Sequence, residues 1–158
     1  MAKVITPEAA LQKIFRYCAY QERSHRQVKE KLYSYSLRTN EVDEIMVRLI
    51  TEGFLNEERF AKAFAGGKFR MKSWGKMKIV KGLEAHGVSS RCIQRGLAEI
   101  EQDDYKKTLR LLLNKKLKEI DSTNSFAAKH ELSKYLIRKG YEPELVWSEI
   151  KSIEQSLD

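Results

Sequence analysis

The 158-residue chain contains few of the residues that interrupt helices, with only 8 glycines and 2 prolines. Tight turns depend on those residues, so a sheet protein with many turns is excluded, as are collagen-like and low-complexity chains. Two cysteines are too few for a disulfide scaffold, and no C-x-x-C pair offers a zinc or redox site. We expect Cys18 and Cys92 to be buried free thiols in a reducing compartment.

Long apolar runs are also missing. None approaches the roughly 18 residues that a membrane helix needs. The N-terminal stretch MAKVITPEAALQK lacks the apolar core of a secretory signal peptide. These absences predict a cytoplasmic protein that does not act at a membrane.

The residue patterns of common catalytic sites are absent as well. There is no phosphate-binding G-x-x-x-x-G-K-[ST] loop, no G-x-G-x-x-G and no H-E-x-x-H. His25, His86 and His130 stand apart from one another and from carboxylate pairs. We therefore predict a protein that is not an enzyme and uses no metal or cofactor.

What the chain does have is charge, at 33% of its residues, with 30 Lys and Arg against 22 Asp and Glu for a net charge of +8. The excess is +2 over residues 1–53, +3 over 54–104 and +3 over 105–158, so it belongs to the whole molecule rather than to a tail. Such a balance favours a polyanionic partner, nucleic acid first. The alternative is that the basic residues only aid solubility.

Apolar residues recur at helical spacing along almost the whole chain, between clear start and stop residues. Thr6-Pro7 and Ser24 are typical helix starts, Gly53 is typical of a helix end, and the polar run 121–125 is typical of a loop. The pattern predicts nine helices, at about residues 7–23, 25–35, 40–52, 57–73, 76–86, 90–100, 103–120, 126–139 and 143–153.

The nine predicted helices repeat in groups of three, with offsets of 51 and 53 residues. We predict an all-α fold of three tandem three-helix repeats, 1–53, 54–102 and 103–158, stacked into an elongated, curved body. Seven positions align in three copies: Val28, Ile79 and Leu132; Leu32, Leu83 and Leu136; Ser36, Gly87 and Gly140; Leu37, Val88 and Tyr141; Val42, Ile93 and Val146; Met46, Leu97 and Ile150; Leu49, Ile100 and Ile153.

The second repeat contains the most informative charge pattern, a stretch from Arg59 to Leu83 with eight basic residues and no acid. Basic side chains would contact backbone phosphates, and an interleaved aromatic ring could stack on a base. The alternative, favoured for Trp74 itself, is that the indole packs between repeats and the lysines form a solvated helix face. A second acid-free basic run lies at 105–118. The predicted binding residues are Arg59, Lys62, Lys68, Arg70, Lys72, Trp74, Lys76, Lys78 and Lys81.

Two functions fit these observations. A helix-turn-helix transcription factor would read bases through the exposed face of the 90–100 helix, which carries Arg91, Gln94 and Arg95. The corresponding face of the 143–153 helix is acidic and suits DNA poorly. Alternatively, the repeats form a body that lies along an extended polyanionic assembly.

Three segments resemble the bacterial RecX family. Arg23-Ser24 is similar to the start of its R-S-x-x-E-L motif, and residues 53–61, GFLNEERFA, resemble its G-[YF]-L-[ND]-D-x-R-F-A motif. Residues 75–88 resemble the next family motif, with its spaced Ile79, Leu83 and Gly87-Val88. The likeness covers about residues 8–153, including the threefold repeat. The departures, such as Ser36 in place of a turn glycine, preserve shape.

The resemblance implies a modulator, usually negative, of the RecA recombinase in recombination and DNA repair. Members of the family lie as three tandem helical units in the groove of the RecA–single-stranded-DNA filament and suppress ATP hydrolysis and strand exchange. They have no catalytic site. The resemblance thus implies that the partners are the RecA filament and, weakly and without sequence preference, single-stranded DNA. We expect a monomer.

Overall fold

The computed structural model describes residues 5–120 and 124–157. Within these ranges the chain forms nine helices and no strand, as the helical spacing of apolar residues predicts. The all-α prediction is therefore confirmed. The helices are α1 Pro7–Tyr20, α2 His25–Tyr33, α3 Thr39–Thr51, α4 Glu57–Lys72, α5 Lys76–Ala85, α6 Ser90–Leu97, α7 Gln102–Glu119, α8 Ser125–Arg138 and α9 Pro143–Leu157.

Polar side chains begin several helices where the sequence predicts them. The Thr6 hydroxyl accepts the Ala9 N–H at 3.2 Å, and the Ser24 hydroxyl accepts the Gln27 N–H at 3.0 Å. The Asn56 side chain accepts the Arg59 N–H at 2.9 Å at the start of α4. Each bond satisfies one of the backbone donors that a helix leaves open in its first turn.

The repeat alignment has a backbone counterpart in the turns after α2, α5 and α8. Ser36, Gly87 and Gly140 occupy the same alignment position, and all three have positive φ, at 62°, 74° and 107°. A left-handed residue is the common way to end a helix and redirect the chain, and it favours glycine. Ser36 therefore keeps the conformation of the turn without the usual residue.

The aligned apolar positions are largely buried, as their spacing predicts. The residues at the first two alignment positions are at most 3% exposed in all three copies. Leu97 and Ile153 are the half-buried members of the set. Burying a leucine or isoleucine side chain stabilises a fold by about 1.5–3 kcal/mol, so these positions form the main part of the core.

The chain divides into two compact units, both of which include part of the second repeat. One consists of Met1–Ala63 with Leu83–Gly96, and the other of Phe64–Gly82 with Leu97–Asp158. In the first unit, the Arg26 guanidinium donates to the Ala85 carbonyl oxygen, and the Ser24 hydroxyl lies 3.3 Å from His86 Nδ1. The turn after α5 therefore packs against the start of α2.

The second unit contains the corresponding junction one repeat later. The Gly75 N–H donates to the Lys139 carbonyl at 2.8 Å, and the Met77 N–H donates to the Gly140 carbonyl at 2.9 Å. A Cβ added to Gly75 would overlap backbone atoms of Gly140 and Tyr141. The turn after α8 thus packs against the start of α5 at a distance that only a glycine permits.

Three details differ from the sequence-based expectations. Met71, whose spacing from Phe60 and Phe64 predicts an inward position, is 86% exposed because the chain leaves α4 within two residues. Leu117, near the end of α7, is also exposed. Cys18 is buried, but Cys92 is only half-buried, and its thiol lies 3.6 Å from Glu57 Oε2.

The predicted loop at 121–125 falls mostly outside the described residues. Its described end, Asn124, starts α8 by accepting the Phe126 N–H at 3.0 Å. Across the described ranges, none of the helices has the length and apolar character needed to cross a membrane.

Candidate nucleic-acid interface

Trp74 lies in the short loop between α4 and α5, and lysines approach its ring from both helices. Lys68 Nζ and Lys72 Nζ of α4 lie 5.0 and 6.0 Å from the indole, and Lys78 Nζ of α5 lies 4.6 Å from it. We call these four residues the Trp74 cluster. An ammonium group over an indole face is stabilised by about 0.5–1 kcal/mol at exposed sites. The cluster thus holds three positive charges around one flat apolar surface.

The indole also packs against a neighbouring ring, in keeping with its half-buried state. Phe64 meets Trp74 edge to face, with ring centroids 6.3 Å apart. Gly82 of α5 leaves room for this pair, since a Cβ there would lie 2.7 Å from Phe64 Cζ. Trp74 therefore has a packing contact with Phe64 and three neighbouring lysines at the same time.

Two buried tyrosines of the third repeat hold the loop that carries Trp74. The Tyr141 hydroxyl donates to the Ser73 carbonyl at 2.9 Å. The Tyr105 hydroxyl accepts the Lys76 N–H at 2.9 Å and donates to Glu142. Hydrogen bonds at both ends of this three-residue loop restrict it, so the cluster is preorganised before any ligand binds.

The environment of these tyrosines changes their acidity. Burial, followed by the hydrogen bond to Glu142, raises the pKa of Tyr105 well above its ordinary value. Burial and then the nearby Glu142 charge raise the pKa of Tyr141 in the same direction. Both phenols keep their protons in the folded protein at any physiological pH, and their hydrogen bonds to the loop persist.

The remaining predicted residues do not join the cluster. Lys76 Nζ lies 4.8 Å from the centroid of the Tyr105 ring. Arg70 lies against Gly66 on its own helix, and Lys81 is exposed on α5.

Arg59 and Lys62 belong to the first unit. Arg59 forms an ion pair with Glu22 at 2.5 Å and donates to the Gly53 carbonyl at 3.0 Å. The structure thus brings together four of the nine predicted residues.

Sequence reasoning missed one basic residue beside the cluster. Lys139 Nζ donates to the Lys72 carbonyl at the end of α4, at 3.0 Å. Lys139 is far from the acid-free stretch in sequence, and no charge pattern marks it. The repeat alignment could have suggested it, because the residue precedes the turn glycine Gly140.

Among the described residues, no group of three or more His, Cys, Asp or Glu side chains could hold a metal ion. What the interface offers is positive charge and an aromatic face. Those features suit phosphates and bases.

Comparisons with known proteins agree with the family resemblance. The family model described as "RecX, second three-helix domain" matches residues 56–97. The Regulatory protein RecX of Geobacillus kaustophilus is 26% identical over 137 residues, which cover 87% of this chain and 51% of that protein. The protein of the same name from Halalkalibacterium halodurans is 28% identical over 143 residues, with 88% and 54% coverage. The chain therefore spans about half the length of these curated relatives.

The fold agrees as well. The crystal structure of RecX from Lactobacillus salivarius superposes with a TM-score of 0.85 at 17% identity, covering 94% of this chain and 97% of that one. A second crystal structure, of regulatory protein RecX, gives a TM-score of 0.83 at 17% identity, with 92% and 71% coverage. The matched second domain contains the Trp74 cluster. The matched domain and the sequence relatives thus extend the resemblance to RecX proteins over most of the chain, and the two crystal structures show the same fold.

Proposed function

We propose that this chain is a regulator of the RecA recombinase that binds the RecA–single-stranded-DNA filament and suppresses ATP hydrolysis and strand exchange. The family's regulatory name supports a regulator rather than an enzyme. The specific partner and effect follow from the resemblance. Because the chain spans about half of its curated relatives, its activity as a filament regulator is proposed for these helical repeats themselves.

The Trp74 cluster is the observation that carries the proposal. Three ammonium groups within 6.0 Å of one indole form a site for phosphates beside a surface on which a base can stack. Each neutralised phosphate releases condensed counterions, and each base stacked on an aromatic ring contributes about 1–3 kcal/mol. Neither contact reads sequence, which suits a ligand that is a repeating filament.

The geometry favours some of the predicted binding residues over others. Lys68, Lys72 and Lys78 are the primary candidates because they converge on Trp74. Lys76 contributes to holding the loop through Tyr105. Arg59 is compensated by Glu22, so it provides less charge to a ligand.

The test is the single-stranded-DNA-stimulated ATPase of the cognate RecA, measured with and without this protein. We expect the wild-type chain to suppress hydrolysis. The triple variant Lys68→Gln, Lys72→Gln and Lys78→Gln should need several-fold more protein for the same suppression. On free single-stranded DNA, its salt slope should fall by roughly 0.7 for each phosphate that the variant no longer neutralises.

The matched control removes the same charge elsewhere, through Lys29→Gln, Lys134→Gln and Lys151→Gln, all of them exposed. Exposed substitutions change stability by about 0.5 kcal/mol or less each, so both variants should fold. Equal weakening in both triple variants would mean that net charge, not the Trp74 cluster, governs binding. An ATPase that wild-type protein leaves unchanged would contradict the proposed function itself.

The helix-turn-helix alternative finds less support in α6. Arg95, one of its three predicted base readers, forms an ion pair with Glu58 of α4. The hydrogen bond from Arg95 lowers the pKa of Glu58, so the carboxylate stays ionised and the pair persists at neutral pH. A base-reading arginine has to present its guanidinium fork to a guanine edge.

A further inference from the structure

The first repeat has its own group of aromatic and basic side chains, at the end of α1 and in the loop that follows. The Arg23 guanidinium lies 3.8 Å from the centroid of the Tyr17 ring and 5.9 Å from that of Tyr20. Lys31 Nζ of α2 lies 5.6 Å from the Tyr17 ring. We call Tyr17, Tyr20, Arg23 and Lys31 the Tyr20 cluster.

The repeat offset of 51 residues places this cluster where the second repeat has Trp74. Arg23 corresponds to Trp74, and Tyr17 corresponds to Lys68. In both repeats the loop residue packs on the same position of the preceding helix, with a cation against a ring. The cation and the ring have exchanged positions, while the combination of positive charge and aromatic surface is the same.

Tyr20 and Lys31 of the cluster are exposed, and Arg23 is half-buried. Tyr20 is 83% exposed, so its ring is available for stacking. The Arg23 side chain is anchored, because its Nε donates to the Tyr17 carbonyl at 3.0 Å. The adjacent acid, Glu22, is engaged by Arg59 and therefore does not neutralise Arg23.

A lone exposed tyrosine is common on protein surfaces and needs no explanation. Here the exposed ring lies beside an anchored guanidinium and a lysine, which is the combination that proteins use to hold single-stranded nucleic acids. An apolar protein partner would not account for the two cations. An acidic protein surface would not need the exposed ring.

We propose that the Tyr20 cluster is a second contact site for single-stranded nucleic acid, with a base stacked on Tyr20 and phosphates held by Arg23 and Lys31. This inference rests on the proposed function and extends it from one repeat to two. The third repeat has Ala127 at the position of Arg23 and Trp74, so we assign no equivalent site there.

The test uses the full chain and an oligothymidylate in which single thymines are replaced by the photoreactive base 5-iodouracil, which crosslinks to stacked aromatic side chains. Irradiation should crosslink the DNA to Tyr20. Tyr20→Leu should abolish that crosslink and weaken binding by about fivefold or more, as expected for one stacked base. Lys31→Gln should lower the salt slope by roughly 0.7.

The controls lie on the same helix as Lys31, outside the cluster. Tyr33→Leu removes another exposed tyrosine, and Lys29→Gln removes another exposed lysine. Both should bind the oligonucleotide as the wild-type chain does. Circular dichroism of each variant checks that the helices are intact.

The proposal is wrong if Tyr20→Leu binds like Tyr33→Leu, if crosslinks avoid Tyr20, or if the wild-type chain does not bind the oligonucleotide. In each case, suppression of the RecA ATPase by wild-type protein would leave the proposed function standing. Conversely, a Tyr20 crosslink together with an unaffected ATPase would support the second site but contradict the proposed regulation of RecA.

Discussion

At the scale of single residues, the buried tyrosines of the second unit link stability to pH. Tyr105 and Tyr141 stack with ring centroids 5.0 Å apart, and burial raises the pKa of each phenol. In the unfolded chain a tyrosine ionises near pH 10. The unfolded state therefore loses these protons first, and stability is complete below about pH 10 and falls as the pH rises above it.

We expect Tyr105 and Tyr141 to ionise in an alkaline titration only as the protein unfolds, because burial raises the pKa of both phenols. Absorbance near 295 nm reports tyrosine ionisation, and circular dichroism followed in parallel reports the helices. Ionisation of all seven tyrosines with helicity retained would contradict burial of the pair.

Two glycines give a matched test of close packing. Gly75→Ala places a methyl group into the backbone of Gly140 and Tyr141, and should destabilise the protein by about 2 kcal/mol or more. Gly67→Ala lies inside α4 with no atom within 4 Å of the new Cβ, and should stabilise by about 0.5–1 kcal/mol. Urea unfolding of both variants measures the two effects. Similar free energies of unfolding would rule out the tight Gly75 junction.

At the scale of elements, each junction joins a turn with a left-handed glycine to the start of the middle helix of the preceding repeat. The first junction uses side chains, since Ser24 starts α2 and also faces His86. The second uses backbone hydrogen bonds at Gly75. Ser24 and Gly75 occupy equivalent positions in the repeat. Each makes the junction with the next repeat, Ser24 through its side chain and Gly75 through its backbone.

Comparing the helix starts at Ser24 and Thr6 separates the contribution of the His86 contact to stability from that of the helix cap. Ser24→Ala removes a helix cap and the hydroxyl beside His86, whereas Thr6→Ala removes only a cap. Removing a cap costs about 0.5–2 kcal/mol, and loss of the hydroxyl contact with His86 adds to that cost. We expect thermal unfolding to show a larger destabilisation for Ser24→Ala. Equal destabilisation would mean that the His86 contact adds nothing.

At the scale of the whole molecule, the basic charge is spread over all three repeats, and the two clusters lie in different units. Binding through several modest contacts raises the effective concentration of each for the next. The resulting affinity should depend on a ligand long enough to engage more than one repeat. It should not depend on base sequence.

The prediction at this scale is a competition. Protein bound to RecA filaments on single-stranded DNA should be barely displaced by an excess of unrelated duplex DNA, and fluorescence anisotropy of labelled protein reports the displacement. A sequence-specific factor would instead prefer one duplex by about a thousandfold or more. Preference for one duplex, combined with an unaffected RecA ATPase, would favour the helix-turn-helix alternative.

Amphipathic spacing and capping residues act locally, and for this reason the sequence predicts the helices, their threefold pattern along the chain and most of the core. It also indicated the turn positions, since Gly87 and Gly140 need positive φ, and the alignment then pointed to Ser36. Burial at helix ends was less predictable. Met71 fits the apolar spacing of α4 but lies where the chain turns away from the core.

Which basic residues converge depends on tertiary packing. The acid-free stretch predicted nine binding residues, but packing on Tyr105 and Tyr141 selected the loop geometry that places three lysines around Trp74. The charge pattern did not indicate Lys139 or the Tyr20 cluster. Convergence depends on contacts between residues far apart in sequence. Here those contacts join α4, α5 and the turn after α8. Local patterns of charge or periodicity do not encode such distances.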